Sequence, residues 1–311
     1  MAFKVLITKN EIREINPDAC KLLEENGCEL IYCSIPDTEK YIKDVDAVMI
    51  GTEPFGRDLI EKAEHLKVIS RYGVGYDAVD LEVAREKGII VANGPGCNAE
   101  AVADLTLLFM LLCSRDVISA NQALKEGQYF RPVGHELPKR KVGIIGTGRI
   151  GQRVVRRCLG FGMEVYANDI KEYPEFQKET GITYTDKETI YRTCDYISVH
   201  VPKDEITTNL ITSKEIAMMK DGVVLVNTAR GGIINEEDLK VALETGKVAS
   251  AGIDVSVIEP AINNPLVHTK NCFFTPHVGA STIEANWMMG QMAAENIVEF
   301  IQTGKCTNQV N

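Results

Sequence analysis

Residues 141–169 read KVGIIGTGRIGQRVVRRCLGFGMEVYAND. The stretch opens on a short apolar run, Val142 to Ile145, and passes into Gly146-Thr147-Gly148-Arg149-Ile150-Gly151. It continues with helical spacing to Gly160 and closes on a second apolar run that ends at Asp169. A lone G-x-G-x-x-G is common, but a strand leading into it and a helix opening from it complete a β-α-β unit that binds a dinucleotide. Gly146 permits the tight turn, Gly148 lets backbone approach a pyrophosphate, and Gly151 lets helix and strand pack closely. The helix N-terminus, with Arg149 and Ile150 in its first turn, then holds the anion. Asp169 lies 18 residues beyond Gly151, where a carboxylate accepts hydrogen bonds from an adenosine ribose and repels a 2'-phosphate. The expected cofactor is therefore NAD, with Lys171 the one nearby residue suited to NADP.

Outward from this unit, short apolar runs alternate with helical stretches. Glu164 to Ala167, Tyr196 to His200, Val223 to Asn227, Ala249 to Ile253 and Cys272 to Thr275 follow Val142 to Ile145 and predict a doubly wound parallel sheet. Toward the N-terminus, Phe3 to Thr8, Glu29 to Cys33, Ala47 to Ile50, Leu66 to Ser70 and Gly88 to Val91 predict a second one. The turn cluster Asn93-Gly94-Pro95-Gly96 marks a domain crossing before a long helix from Ala99 to Arg115. A last helix from Ser281 to about Gln302 returns to the first domain. The expected fold class is α/β, with two Rossmann- or flavodoxin-like domains built on parallel sheets and the first discontinuous. Residues 1–96 with 283–311 form the substrate-binding domain, and 97–282 the NAD-binding Rossmann domain.

Composition narrows the function. The chain has 311 residues, 45% hydrophobic and 25% charged, with 34 Lys plus Arg against 44 Asp plus Glu. The resulting net charge of -10 repels a nucleic-acid backbone and an anionic membrane alike. The opening residues are not expected to act as an export signal, and the longest apolar run, Leu105 to Cys113, is too short to span a bilayer. Nine cysteines, odd in number, scattered and without a C-x-x-C pair, predict reduced thiols in a cytoplasmic protein. No His or Cys pair has metal-ligand spacing, so no metal is expected.

Three segments place polar groups just past the ends of expected strands, the edge where open α/β sheets bind ligands. They are Asn227-Thr228-Ala229-Arg230-Gly231-Gly232, Asp254 to Pro260, and Thr275-Pro276-His277-Val278-Gly279-Ala280. Singly, Arg230, Glu259 and His277 are commonplace loop residues; together, beside a dinucleotide motif, they are candidates for one site. This combination resembles the D-isomer-specific 2-hydroxyacid dehydrogenase family over nearly the whole chain. The resemblance implies catalytic roles for Arg230, Glu259 and His277, and a place near the nicotinamide for Asp254. It sets His200-Val201-Pro202 with Thr207, and Thr228 with Ala229, beside the cofactor. It also gives the amides of Val74 and Gly75, in Arg71-Tyr72-Gly73-Val74-Gly75, to the substrate carboxylate. Arg71 matches a basic position that reaches a second anionic group in phosphoglycerate dehydrogenases. Asp104 departs from the family's usual Glu, and no Trp precedes Lys141.

The chemistry asks for the same residue types. Hydride arriving at the carbonyl carbon of a 2-oxo acid leaves charge on oxygen, which a donor near neutral pKa must protonate, and His277 suits it. A carboxylate on that imidazole favours its charged form and fixes its tautomer, the role of Glu259. The planar fork of Arg230 grips a carboxylate and polarises the adjacent carbonyl. The expectation is an NAD-dependent oxidoreductase that interconverts a small D-2-hydroxy acid and its 2-oxo acid. Phosphoglycerate, or hydroxypyruvate and glyoxylate, are the foremost substrates. The alternative is a dinucleotide-sensing binding protein like the corepressors that share this scaffold. The strongly apolar Ala99 to Arg115 helix, with the resemblance, implies a homodimer built around that region.

Overall fold

The structure is a computed structural model that describes residues 2–311. It divides into two compact units, one running to Asn98 and resuming over Ala280–Asn311, the other spanning Ala99–Gly279. The crossings fall between Asn98 and Ala99 and between Gly279 and Ala280.

The first unit carries strands β1 (Phe3–Ile7), β2 (Cys28–Tyr32), β3 (Ala47–Ile50), β4 (Val68–Arg71) and β5 (Ile90–Ala92). They form a parallel sheet in the order β2-β1-β3-β4-β5, the flavodoxin-like arrangement. Helices cover both of its faces, so an interior strand such as β3, Ala-Val-Met-Ile, is buried at every residue and reads as a continuous apolar run. The closing helix, Ile283–Thr303, packs here through Ile297 and Ala293, and Ser70 Oγ donates to the carbonyl of Ala293. Met289 on that helix joins the core, whereas Trp287 and Met288 are exposed. The chain end returns to the sheet, Val310 N donating to the carbonyl of Val91.

The second unit carries β6 (Lys141–Ile145), β7 (Glu164–Asn168), β8 (Thr183–Tyr184), β9 (Tyr196–Val199), β10 (Val223–Asn227), β11 (Val248–Ile253) and β12 (Cys272–Phe274). Their order is β12-β11-β10-β9-β6-β7-β8, all parallel, the doubly wound dinucleotide-binding topology. The order reverses between β6 and β9. Two elements escaped the sequence reading. β8 is two residues long, too short to show a period, and the Val117–Lys125 helix has no buried residue from which an apolar stripe could be read.

Candidate active site

Because every strand of the second sheet points the same way, each loop that leaves a carboxyl end joins one edge. From β12 to β7 that edge carries His277, then Asp254 and Glu259, then Thr228, Ala229 and Arg230, then His200 and Pro202, then the glycine loop, then Asp169. His277, Glu259 and Arg230 follow the three adjacent strands β12, β11 and β10. The glycine loop and His200 flank the reversal of strand order, where such sheets take their ligands.

Gly146 has φ of 97°, and a Cβ there would stand 2.7 Å from the carbonyl carbon of His200, so only glycine lets β6 turn against β9. A Cβ on Gly151 would lie 2.0 Å from the carbonyl oxygen of Gly146, which is the close helix approach the motif requires. Gly148 differs: a Cβ there would meet nothing within 4 Å, and as N-cap of the Arg149–Gly160 helix it contributes no capping side chain. The helix N-terminus therefore faces open space, as a site for a pyrophosphate must. His200 sits beside it; burial pushes its imidazole down to about 4, and Nδ1 is buried without a protein hydrogen-bond partner while Nε2 meets Ser198 Oγ at 2.9 Å. Thr207 Oγ1 donates to the carbonyl of Pro202 at 2.6 Å, which closes the turn after β9. These features fit a bound dinucleotide.

Asp169 follows β7 directly. One carboxylate oxygen accepts from Thr147 N at 2.5 Å and from Thr147 Oγ1 at 3.1 Å, and Thr147 Oγ1 in turn meets Tyr184 OH at 3.0 Å. The carboxylate thus braces the glycine loop, a contact sequence spacing alone does not disclose. Buried Thr147 is its unrecognised partner.

At the other end of the edge, His277 Nδ1 lies 2.8 Å from Glu259 Oε2, and both side chains are about one-third exposed, 35% and 38%. The Glu259 hydrogen bond and charge raise the His277 imidazole above its ordinary value, against burial and the Arg230 charge. Burial works to raise the Glu259 carboxyl, but His277, Ser256 N and Arg230 hold it below the usual carboxylate range. Arg230 therefore acts on both members of the pair. Its Nη1 donates to the carbonyl of Ala229 at 2.7 Å, and its own carbonyl accepts from Asn227 Nδ2 at 2.9 Å. Thr228 is buried, its hydroxyl 2.8 Å from that of Thr106 on the Ala99–Arg115 helix.

Asp254 shapes the turn that presents His277. Its carboxylate accepts from Thr275 Oγ1 at 2.6 Å and from the amides of Val278 and Gly279, each at 2.8 Å, while its carbonyl accepts from His277 N at 2.8 Å. These bonds hold His277 at φ of 52°, in the left-handed region. Burial pushes the Asp254 carboxyl up.

Arg71, Val74 and Gly75 belong to the first unit. Arg71 ends β4, is 3% exposed, and donates from Nε to the carbonyl of Gly75 at 2.6 Å and from Nη1 to that of Ile50 at 3.0 Å. Asn93 Nδ2 donates to the carbonyl of Val74 at 2.7 Å. Arg71 thus shapes the loop it precedes. His268 ends a 3-10 turn, Pro265–His268, and His135 Nδ1 meets Arg140. Among the described residues there is no group of His, Cys, Asp and Glu that could hold a metal ion, and no helix long and apolar enough to cross a membrane.

Comparison with known proteins agrees with this arrangement. Residues 107–279 match the family model described as "D-isomer specific 2-hydroxyacid dehydrogenase, NAD binding domain". The chain is 40% identical to a D-3-phosphoglycerate dehydrogenase of Methanocaldococcus jannaschii, an alignment that covers 99% of this chain and 59% of the relative. It is 42% identical to a hydroxypyruvate reductase of Thermotoga maritima, over 83% of this chain and 85% of that one. The chain therefore spans little more than half the length of the phosphoglycerate dehydrogenase. The crystal structure of a glyoxylate reductase from Paecilomyes thermophila superposes with a TM-score of 0.89 at 29% identity, covering 99% of this chain and 98% of that one.

Proposed function

Since the chain belongs to the D-isomer specific 2-hydroxyacid dehydrogenase family, with NAD as cofactor, we propose that it interconverts a small D-2-hydroxy acid and its 2-oxo acid, with 3-phosphoglycerate or hydroxypyruvate and glyoxylate as substrates. The observation that carries this reading is the His277–Glu259 pair with Arg230 in its field, on the edge that also bears the glycine loop.

The bound nicotinamide supplies or takes the hydride. Arg230 directs its guanidinium to the substrate carboxylate and the adjacent carbonyl oxygen, which stabilises the charge that develops there. His277, with Nδ1 on Glu259, has Nε2 for the substrate and gives its proton to that oxygen during reduction. Glu259 stabilises the imidazolium, so His277 is charged when reduction begins. In oxidation the same ring starts neutral and takes the proton. Gly146, Gly148, Arg149, Ile150 and Gly151 take the pyrophosphate. Thr228, Ala229, Asp254, His200, Pro202 and Thr207 line the rest of the cofactor's course.

The protein works as a homodimer in the cytoplasm. Support for the dimer comes from the second unit, where apolar side chains stand in solvent from Leu108 through Ile118 and Leu124 to Tyr129 (81% exposed) and Val133 (99%); a patch of this kind marks an interaction surface. Multiple turnovers of NADH with hydroxypyruvate, glyoxylate or phosphohydroxypyruvate test the activity; binding of NADH without turnover of any of them overturns it.

Asp169→Ala removes an acceptor for the adenosine ribose and loosens Thr147. A hydrogen bond to a charged group contributes about 1.5–3 kcal/mol, so the NADH Kd rises about ten- to hundredfold. With no carboxylate to repel a 2'-phosphate, NADPH gains relative to NADH. Fluorescence titration with both nucleotides measures this, and a parent protein that already favours NADPH contradicts the assignment.

A further inference from the structure

The loop that carries Glu259 has little apolar anchorage. Val257, Ile258 and Ile262 are exposed, Ile258 by 76% and Ile262 by 75%. With so little area removed from water, burial cannot fix the loop, and polar contacts must. Ser256 Oγ donates to the carbonyl of Ile258 at 2.7 Å, a bond within the loop itself. From outside, besides the His277 bond to Glu259 itself, one carboxylate reaches the loop at two points. Glu236 Oε1 accepts from Val257 N at 2.7 Å and Glu236 Oε2 accepts from Asn264 Nδ2 at 2.7 Å, so its two oxygens hold the loop on both sides of Glu259. Asn264 is fixed in turn, since its Oδ1 accepts from Leu266 N at 3.0 Å. Glu236 is itself well placed. It opens the Glu236–Glu244 helix, whose N-cap Asn235 accepts from Asp238 N, and a carboxylate in a first helical turn is favoured by the helix dipole.

We propose that Glu236 is a positioning residue of the reaction, the brace that keeps Glu259 on His277 by holding Val257 and Asn264. The inference rests on the catalytic reading of Glu259 and His277 above. Its consequence appears in the titration of His277, which is faced by Glu259, Asp254 and Arg230. Without the brace the loop drifts, Glu259 spends less time on the imidazole, and the imidazolium loses its stabilising partner. The His277 pKa then falls toward its ordinary value. Both the acidic limb of hydroxy-acid oxidation, which needs neutral His277, and the alkaline limb of 2-oxo-acid reduction, which needs charged His277, move to lower pH.

The test compares Glu236→Ala, Glu236→Gln, Glu259→Gln and the double variant E236A/E259Q with the parent. The titration of His277 is read by NMR on the protein alone, followed by kcat, KM and the NADH Kd. Misplacing a catalytic group by an ångström costs up to about 10²-fold, and E236A is expected to lose about tenfold in kcat with NADH affinity unchanged. Its His277 titration shifts toward that of E259Q. E236Q keeps an oxygen for Val257 N and recovers most of the loss, which also supplies the answer if E236A folds poorly. The double variant is no worse than E259Q, because the brace acts only through Glu259. A parent-like His277 titration in E236A, or a double variant that shows the full product of both losses, overturns the proposal. The NMR readout is independent of turnover, so failure of the enzymatic assignment is distinguishable from failure of the brace.

Discussion

His277→Asn reduces a 2-oxo acid about 10² to 10⁴ times more slowly than the parent, the usual contribution of general acid catalysis, while its NADH affinity stays within a few-fold. Asparagine is close to the size of imidazole's proximal half and retains a polar group near Glu259, so the turn after β12 has no reason to collapse. The fold of that turn resides in Asp254, which binds Thr275, Val278 and Gly279 by their own donors and takes only the backbone amide of residue 277. What is lost is the proton. An amide cannot release one near neutral pH, and the developing oxyanion keeps only Arg230. The glycine loop, Asp169 and His200, which follow β6, β7 and β9, are untouched. Steady-state rates with a 2-oxo acid and fluorescence titration with NADH separate these effects. A variant that keeps most of the parent rate removes His277 from the mechanism.

Gly231→Ala costs at least about a hundredfold in kcat/KM and also lowers Tm. A Cβ on Gly231 would stand 1.9 Å from the carbonyl carbon of Ser256, 2.1 Å from its oxygen and 2.4 Å from Val257 N. All three are backbone atoms, so no side chain can swing aside and the loops after β10 and β11 must separate. Overpacking of this kind typically costs about 1–3 kcal/mol, and more where the neighbour is rigid. The functional loss is larger because of what the two loops carry. Arg230 immediately precedes the glycine, and Glu259 belongs to the loop that would be displaced. A shift of about 1 Å between catalytic groups is worth about 10²-fold. Thermal melting and kinetics on the same preparation measure both, and parent-like activity shows that the loops do not depend on this contact.

The fold was largely readable because a doubly wound sheet writes itself in apolar runs of four to six residues, each buried on both faces. Arg230, Glu259 and His277 were readable for a related reason: in a parallel sheet, residues just past a strand share an edge whatever their separation in sequence. Their order along that edge was not, since β10, β11 and β12 become neighbours only through the sheet topology. Partners were the least legible. Asp169 stood out by spacing from the glycines, yet its bond to Thr147 depends on how the loop curls back toward β7. Arg71 suggested a substrate contact by sequence, and its hydrogen bonds to Gly75 and Ile50 came with the fold. Glu236 looks like any acidic residue at a helix start; the atoms that give it meaning lie 21 and 28 residues away. Side-chain direction, which a periodic pattern does not encode, decides each of these.

The most direct test of the central claim follows the hydride. Incubating the protein with hydroxypyruvate and NADH deuterated at the transferable position of nicotinamide C4, then analysing the glycerate by NMR and chiral separation, reports on bond formation and stereochemistry together. The account predicts D-glycerate with deuterium at C2. Recovery of unlabelled glycerate, or of the L isomer, contradicts it.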